Sequence, residues 1–233
     1  MKKCFVVVVG LLLFSMFISG CASQKTWVYK PNTYSQLSAF SKKTAVILPF
    51  SDQRKNTNKN RVALYMIPLM PFGWLDYNTP EGMPVHITSG MWINYKPTED
   101  FPKALAQELA EANIFQETYF DFRKGNADIS ITGKIIDTKY SGKLITYGLS
   151  VYGPLLWLVG FPAGTVNNEL SIELLCTDVK TNHLLFSKVY SAPMYSKVTW
   201  IYSLSNDFNY PSMLRGLYKQ FILDLKNEPD IFQ

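Results

Sequence analysis

The chain reads as an α+β protein: a mixed β-sheet packed by two main helices, with two apolar inserts. Three observations predict this class. Residues 127–140 and 166–178 alternate apolar and polar side chains with the two-residue period of half-buried strands. Residues 98–112 and 209–225 repeat apolar side chains at helical spacing. Thr44-Ala-Val-Ile-Leu-Pro-Phe50 is a continuous apolar run, the pattern of a strand covered on both faces.

The chain opens with Lys2 and Lys3, an apolar run from Phe5 to Ile18, and the small residues Ser19 and Gly20 before Cys21. That apolar core is shorter than the ~20 residues of a spanning helix, so it reads as a secretory leader. Ile18-Ser19-Gly20-Cys21 resembles the lipobox of bacterial lipoproteins. The resemblance implies cleavage before Cys21, a diacylglycerol on its thiol and an acyl chain, such as palmitate, on the new amine. Each buried methylene is worth ~0.8 kcal/mol, and more than one chain anchors stably. Ala22, rather than an aspartate, resembles the outer-membrane sorting pattern. Residues 1–20 are thus expected to be the signal peptide, 21–41 a lipidated tether, and 42–233 a single domain facing the periplasm. Trp27 and Tyr29 stand out in the otherwise polar tether, as residues that pack on the domain or lie at the lipid interface.

After the first strand, Ser51 to Arg61 is polar, and its loose cluster of Arg54, Lys55, Lys59 and Arg61 reads as a solvated loop. The first insert, about 62–75, has no charge and contains Pro68, Pro71 and Gly73. Asn78 to Gly82 is a turn. Thr98 or Asp100 is placed to cap the next helix, with Pro102 in its first turn. Phe101, Leu105, Leu109 and Ala112 form its apolar stripe, Glu108 lies off that stripe, and Asn113 is a stop. Ile114 to Phe122 reads as a strand.

In the 127–140 strand, Ile129, Ile131, Gly133 and Ile135 face one way and Ser130, Thr132 and Lys134 the other. A turn is expected at Ser141-Gly142. The second insert, about 144–168, carries no charge between Lys143 and Glu169. Pro154, Pro162 and four glycines argue against a straight spanning helix there. It is expected either to bury itself against the first insert or to act as a docking surface through Tyr152, Leu155, Leu156, Trp157, Leu158 and Phe161. Leu170, Ile172, Leu174 and Cys176 point inward on the next strand, and Asp178 to Asn182 turns into a partner strand from Leu184. Leu214, Leu217, Tyr218, Phe221 and Leu225 mark a final amphipathic helix after Asn209 and Pro211.

Composition limits function. Hydrophobic residues at 47% against 18% charged residues are globular. Without the leader the balance is 21 basic against 18 acidic residues, or +3, too mild and too scattered for nucleic acid. The mature chain keeps only Cys21 and Cys176, so no internal disulfide is available once Cys21 is lipidated. His86 and His183 lack a second ligand at metal-binding spacing, and no cofactor or metal is expected. Cys176 reads as a packing thiol. Asp128 and Asp137 fall on opposite faces of one strand, and no catalytic constellation is legible.

The order of elements also resembles envelope lipoproteins related to the curli-secretion lipoprotein CsgG, the penicillin-binding-protein activator LpoB and the TolB amino-terminal domain. Thr44 to Asp52 is similar to their first strand, and Leu105-Ala-Gln-Glu-Leu109 to their first helix. Ala127-Asp128-Ile129-Ser-Ile-Thr-Gly133-Lys134-Ile135 and the hairpin around Asp178-Val-Lys-Thr181 are similar to later strands, with Asn182 replacing a usual glycine. The resemblance implies a helix-covered mixed sheet and no single activity. The expected function is a non-enzymatic accessory or scaffold of an envelope assembly. It would be held to the membrane by its N-terminal lipid, and would have an envelope protein partner or associate with itself. The alternatives are a membrane-inserting oligomeric subunit of a secretion pore, and a periplasmic lipid-binding module or enzyme.

Overall fold

The computed structural model describes residues 27–35, 38–83, 95–203 and 208–232. The leader, Cys21 and His86 lie outside the described residues. The fold is α+β, but its strands form two sheets.

The first sheet contains β1 (Thr44–Ile47), β2 (Ser51–Asp52), β5 (Glu117–Phe120), β6 (Ile129–Asp137), β9 (Ser171–Asp178) and β10 (Leu184–Ser191). Their order is β10-β9-β6-β1-β5, and β2 continues beside β6. β1 is central and parallel to both neighbours, which is why its run is uninterrupted: Ala45, Val46 and Ile47 are fully buried. β6 and β9 are antiparallel, with Ile131 opposite Cys176 and Gly133 opposite Leu174. The alternation read from sequence is therefore correct in phase. Ile129, Ile131, Ile135, Ile172, Leu174 and Cys176 are all fully buried on the core face.

Helices α1 (Pro97–Glu111) and α3 (Tyr210–Lys226) cover that face. Phe101, Leu105 and Leu109 meet Leu214, Leu217, Tyr218 and Phe221 in one cluster, and the Tyr218 hydroxyl donates to the Phe101 carbonyl at 2.9 Å. α1 begins with Pro97, and the Asp100 carboxylate accepts the Lys96 N–H at 2.7 Å. Asn113 ends it in the left-handed region at φ 48°. Asn182 takes the same region at φ 58°, which lets it stand in the β9–β10 turn where a glycine would serve.

The second sheet is the main departure from expectation. It runs β11-β8-β7-β4-β3, all antiparallel, from β3 (Lys59–Arg61), β4 (Phe72–Tyr77), β7 (Tyr140–Ile145), β8 (Gly164–Asn168) and β11 (Tyr195–Thr199). Ser141 and Gly142 lie inside β7 and not in a turn. Both apolar inserts contribute to strands of this sheet, in β4, β7 and β8, so they belong to the β-structure of the domain and are not appended to it. Gly164 is needed there for close approach: a Cβ would sit 2.1 Å from the Lys143 carbonyl oxygen. Two residues, Thr138 and Lys139, join β6 to β7, and Glu169 and Leu170 join β8 to β9. The second sheet thus grows out of the first along two neighbouring crossings. Tyr210 locks this junction by donating to the Thr138 carbonyl at 2.6 Å, and the Asn168 side chain accepts the Asn209 N–H at 2.8 Å.

Of the two alternatives for Trp27 and Tyr29, the structure shows packing on the domain, and two further expectations are corrected. The segment read as a tether is laid on the domain from Trp27 to Tyr34: Trp27 stacks on Tyr95, and the phenols of Tyr29 and Tyr34 each donate to Glu108 at 2.6 Å. Glu108, off the apolar stripe, is nonetheless fully buried because this strap covers it. Arg54 is not solvated; its side chain is 3% exposed and paired with Asp52 and Glu81, joining the β2–β3 connection to the turn after β4.

Candidate functional site: an apolar tip

Phe72, Ile145, Gly164 and Thr199 lie at one end of the second sheet, at the ends of β4, β7, β8 and β11. The loops beyond them form the tip of the molecule. They are a 3-10 turn at Val62–Met66 with the following residues to Pro71, the segment from Thr146 to Ala163, and a 3-10 turn at Ile201–Ser203. None of these loops carries a charged residue.

The tip is held together by its own backbone and a few buried groups. The Leu69 N–H donates to the Gly148 carbonyl at 3.0 Å, and the Thr146 and Tyr147 N–H groups both donate to the Pro71 carbonyl. The two inserts therefore do pack on each other. Trp157, on the short helix α2 (Pro154–Leu158), is the pillar of this cluster. It is buried with Leu144 and Ala163, and its indole N–H donates to the Ile145 carbonyl at 2.8 Å. A Cβ on Gly153 would sit 2.6 Å from the Thr146 backbone, so only glycine permits this fold-back. The Tyr147 hydroxyl donates to the Pro162 carbonyl at 2.7 Å, and desolvation raises its pKa.

Around that pillar the surface is apolar. Of the residues expected to dock, Tyr152, Leu155, Leu158 and Phe161 are exposed, Leu156 is half-buried and Trp157 is core. The structure adds Met66, Ile67 and Leu69 from the first insert, and Trp200 and Tyr202 from the third loop. Leu69 and Tyr202 are each 88% exposed. Leu69, Tyr147 and Ser150, three of the tip's non-glycine residues, hold positive φ of 70°, 58° and 52°. Strain of that kind, of order 1–3 kcal/mol per residue, persists only where the surroundings impose it. The third loop was missed because its signal, an uncharged stretch from Val198 to Asn206, is too short to stand out.

Among the described residues no three His, Cys, Asp or Glu side chains gather as a metal site, and no helix is long and apolar enough to cross a membrane. Cys176 is fully buried, and desolvation raises its thiol pKa. His183 is exposed in its turn.

The chain matches no protein-family model and no curated protein. Among solved structures it is similar to protein XCC0632 of Xanthomonas campestris, from family DUF330. The identity is 8% and the TM-score 0.45, over 88% of this chain and 92% of that one. It is similar to the hypothetical protein CT253 of Chlamydia trachomatis at 10% identity and TM-score 0.42, over 81% and 98% of the two chains. A neuraminyllactose-binding hemagglutinin homolog of Helicobacter pylori aligns at 8% identity and TM-score 0.38, over 88% and 91%.

Proposed function

We propose that this chain is a non-enzymatic, outer-membrane-anchored lipoprotein that serves as an accessory or scaffold of an envelope assembly, and that its tip seats in the lipid interface beside the anchor. The observation that carries the reading is the uncharged tip with its exposed Leu155, Leu158, Phe161, Trp200 and Tyr202. A soluble monomer rarely leaves a contiguous apolar surface of that kind uncovered, and Trp and Tyr favour the membrane interface.

Chain length supports a lipid occupant over a protein one. Trp27 is strapped to the domain beside Tyr95, so only six Cα–Cα steps, through residues 22–26, separate it from Cys21. Six extended residues reach at most ~20 Å. From the junction of the sheets to the tip, the strand Tyr140–Ile145 rises about 17 Å. The anchor's maximal reach and the rise of β7 are thus of the same order, which is compatible with one bilayer surface meeting both. Strand length weighs against the pore alternative. β4 and β7 have six residues and β8 has five, all paired within the chain, where a spanning strand needs about 9–11.

The test uses the full chain in vesicles, with Leu155→Cys carrying an environment-sensitive dye; Cys176 is buried and does not compete for it. Seating in the interface predicts a blue-shifted dye that is quenched by spin-labelled lipids. A blue shift without lipid quenching would mean self-association, and no shift at all would mean a solvated tip; either outcome sinks the membrane reading of the tip. Mass analysis of the first peptide tests the anchor separately.

A further inference from the structure

The second sheet has an open face as well as a tip. Along β4, Phe72, Trp74 and Asp76 point to it, while Gly73, Leu75 and Tyr77 are buried on the other side. Strand pairing sets two rows across this face. Trp74 lies opposite Lys143, and Lys143 opposite Thr165. Asp76 lies opposite Ser141, and Ser141 opposite Asn167. Together they line a groove of about 440 Å³. That is within the ~300–1,000 Å³ of small-ligand sites.

The chemistry of the two rows differs. In the first, the Trp74 and Phe72 rings stand 6.1 Å apart at 61°, and the Lys143 ammonium lies 5.1 Å from the Phe72 centroid. In the second, the Ser141 hydroxyl donates to Asp76 Oδ1 at 2.9 Å, which leaves Oδ2 as an acceptor. The Trp74 indole N–H, the Thr165 hydroxyl and the Asn167 amide have no hydrogen-bond partner among the described residues. The groove therefore offers an aromatic slab beside a set of uncommitted donors and acceptors.

Three ligand chemistries can be weighed against this. An acyl chain would desolvate those polar groups without pairing them, at a cost of ~1–3 kcal/mol each. A phosphate would find Lys143 in the groove and Arg61 and Lys59 at its β3 edge, opposite Trp74 and Asp76, but it would also meet the Asp76 carboxylate and leave the aromatic slab unfilled. A sugar ring has one apolar C–H face for the aromatic slab and a rim of hydroxyls that can both give and accept hydrogen bonds, so it matches the slab and the uncommitted polar groups together. We propose that this groove binds a neutral oligosaccharide, with a pyranose ring stacked on Trp74 and its hydroxyls held by Asp76, Asn167 and Thr165. The inference stands apart from the membrane reading, since the open face and the tip use different side chains.

The experiment is calorimetric titration of the full chain, in a detergent without a sugar headgroup, with chitotetraose and with cellotetraose. Saturable binding of at least one is expected, with a loss of about tenfold or more in Trp74→Ala and in Asp76→Asn, or ~1.4 kcal/mol each. Two substitutions are used so that a fold defect in one, seen as early melting, leaves the other to decide. No saturable heat with either sugar up to about 10 mM, beyond the weak end of specific affinity, overturns the proposal. So does binding that both substitutions leave unchanged. Glycerol phosphate is titrated in parallel; binding of that anion in place of the sugars also overturns it.

Discussion

Tyr29 and Glu108 are 79 residues apart in the chain and share a 2.6 Å hydrogen bond. Tyr34 donates to the other oxygen of the same carboxylate, and Asn32 donates to it through both its backbone N–H and its side-chain amide. The carboxylate is fully buried, so these four donors replace the water it gives up. The strap thus holds the helix, and the helix holds the strap.

Glu108→Ala is expected to orphan these donors and release the strap. Leaving a buried donor unpaired costs ~1–3 kcal/mol, and the loss should fall in that range or somewhat above it. Denaturant midpoints measure it, and limited proteolysis should newly cut between residues 27 and 40. A midpoint equal to wild type with an uncut strap would mean that the carboxylate is dispensable.

Alkaline pH should act on the same contact. Desolvation first, then the hydrogen bond to Glu108, raises the pKa of Tyr29 and of Tyr34 above the ordinary 10.0. A phenol raised on folding contributes stability that is complete below the unfolded value and is lost as pH climbs above it. Melting temperature should therefore hold up to about pH 10 and fall beyond. In Tyr29→Phe that alkaline fall should be shallower, although the protein starts less stable.

Acid pH should act at Arg54. The hydrogen bond from Arg54 lowers the Asp52 pKa below the ordinary 3.8. That contribution is present above the unfolded value and is lost as pH falls through the folded one. Arg54→Met strands Glu81 as well as Asp52. Removing one partner of a buried pair costs ~3–5 kcal/mol, and the lower end is expected because both carboxylates keep some solvent. Urea titration at neutral pH and at about pH 3 checks both statements, since the variant should also lose less on acidification.

Trp157 and Leu155 are two residues apart and should behave oppositely. Trp157→Ala removes the buried pillar of the tip and should cost ~3–5 kcal/mol. Leu155→Ser changes an exposed side chain and should stay within ~0.5 kcal/mol of wild type while weakening the tip's contact with lipid. Thermal melting separates the two; equal losses would place Leu155 in the core.

Ile131→Ala and Leu174→Ala should each cost ~2–5 kcal/mol, because both side chains are fully buried on the same face of the first sheet. Two wild-type denaturant midpoints would put the strands out of phase.

The periods of the chain were legible because they are local. The inward residues of β6 and β9, the stripes of α1 and α3, and the ends at Asn113 and Asn182 depend on neighbours within a few positions. The candidate docking residues were found by one local property, the missing charge between Lys143 and Glu169. That property does not say which side chain faces inward on a tight fold-back, and so Trp157 was grouped with Leu155. The rest was decided by distant partners. Phe72 pairs with Ile145, and Trp74 with Lys143, across a gap longer than most of the elements themselves. β4 places aromatic side chains on both faces, which hides its alternation until the partner strand shows which face is covered. Glu108 and Arg54 are polar by sequence and buried by structure, because burial belongs to whatever lies on top of a residue. The donors that cover Glu108 come from the strap more than 70 residues earlier, and Arg54 adds Glu81, 27 residues on, to its local partner Asp52.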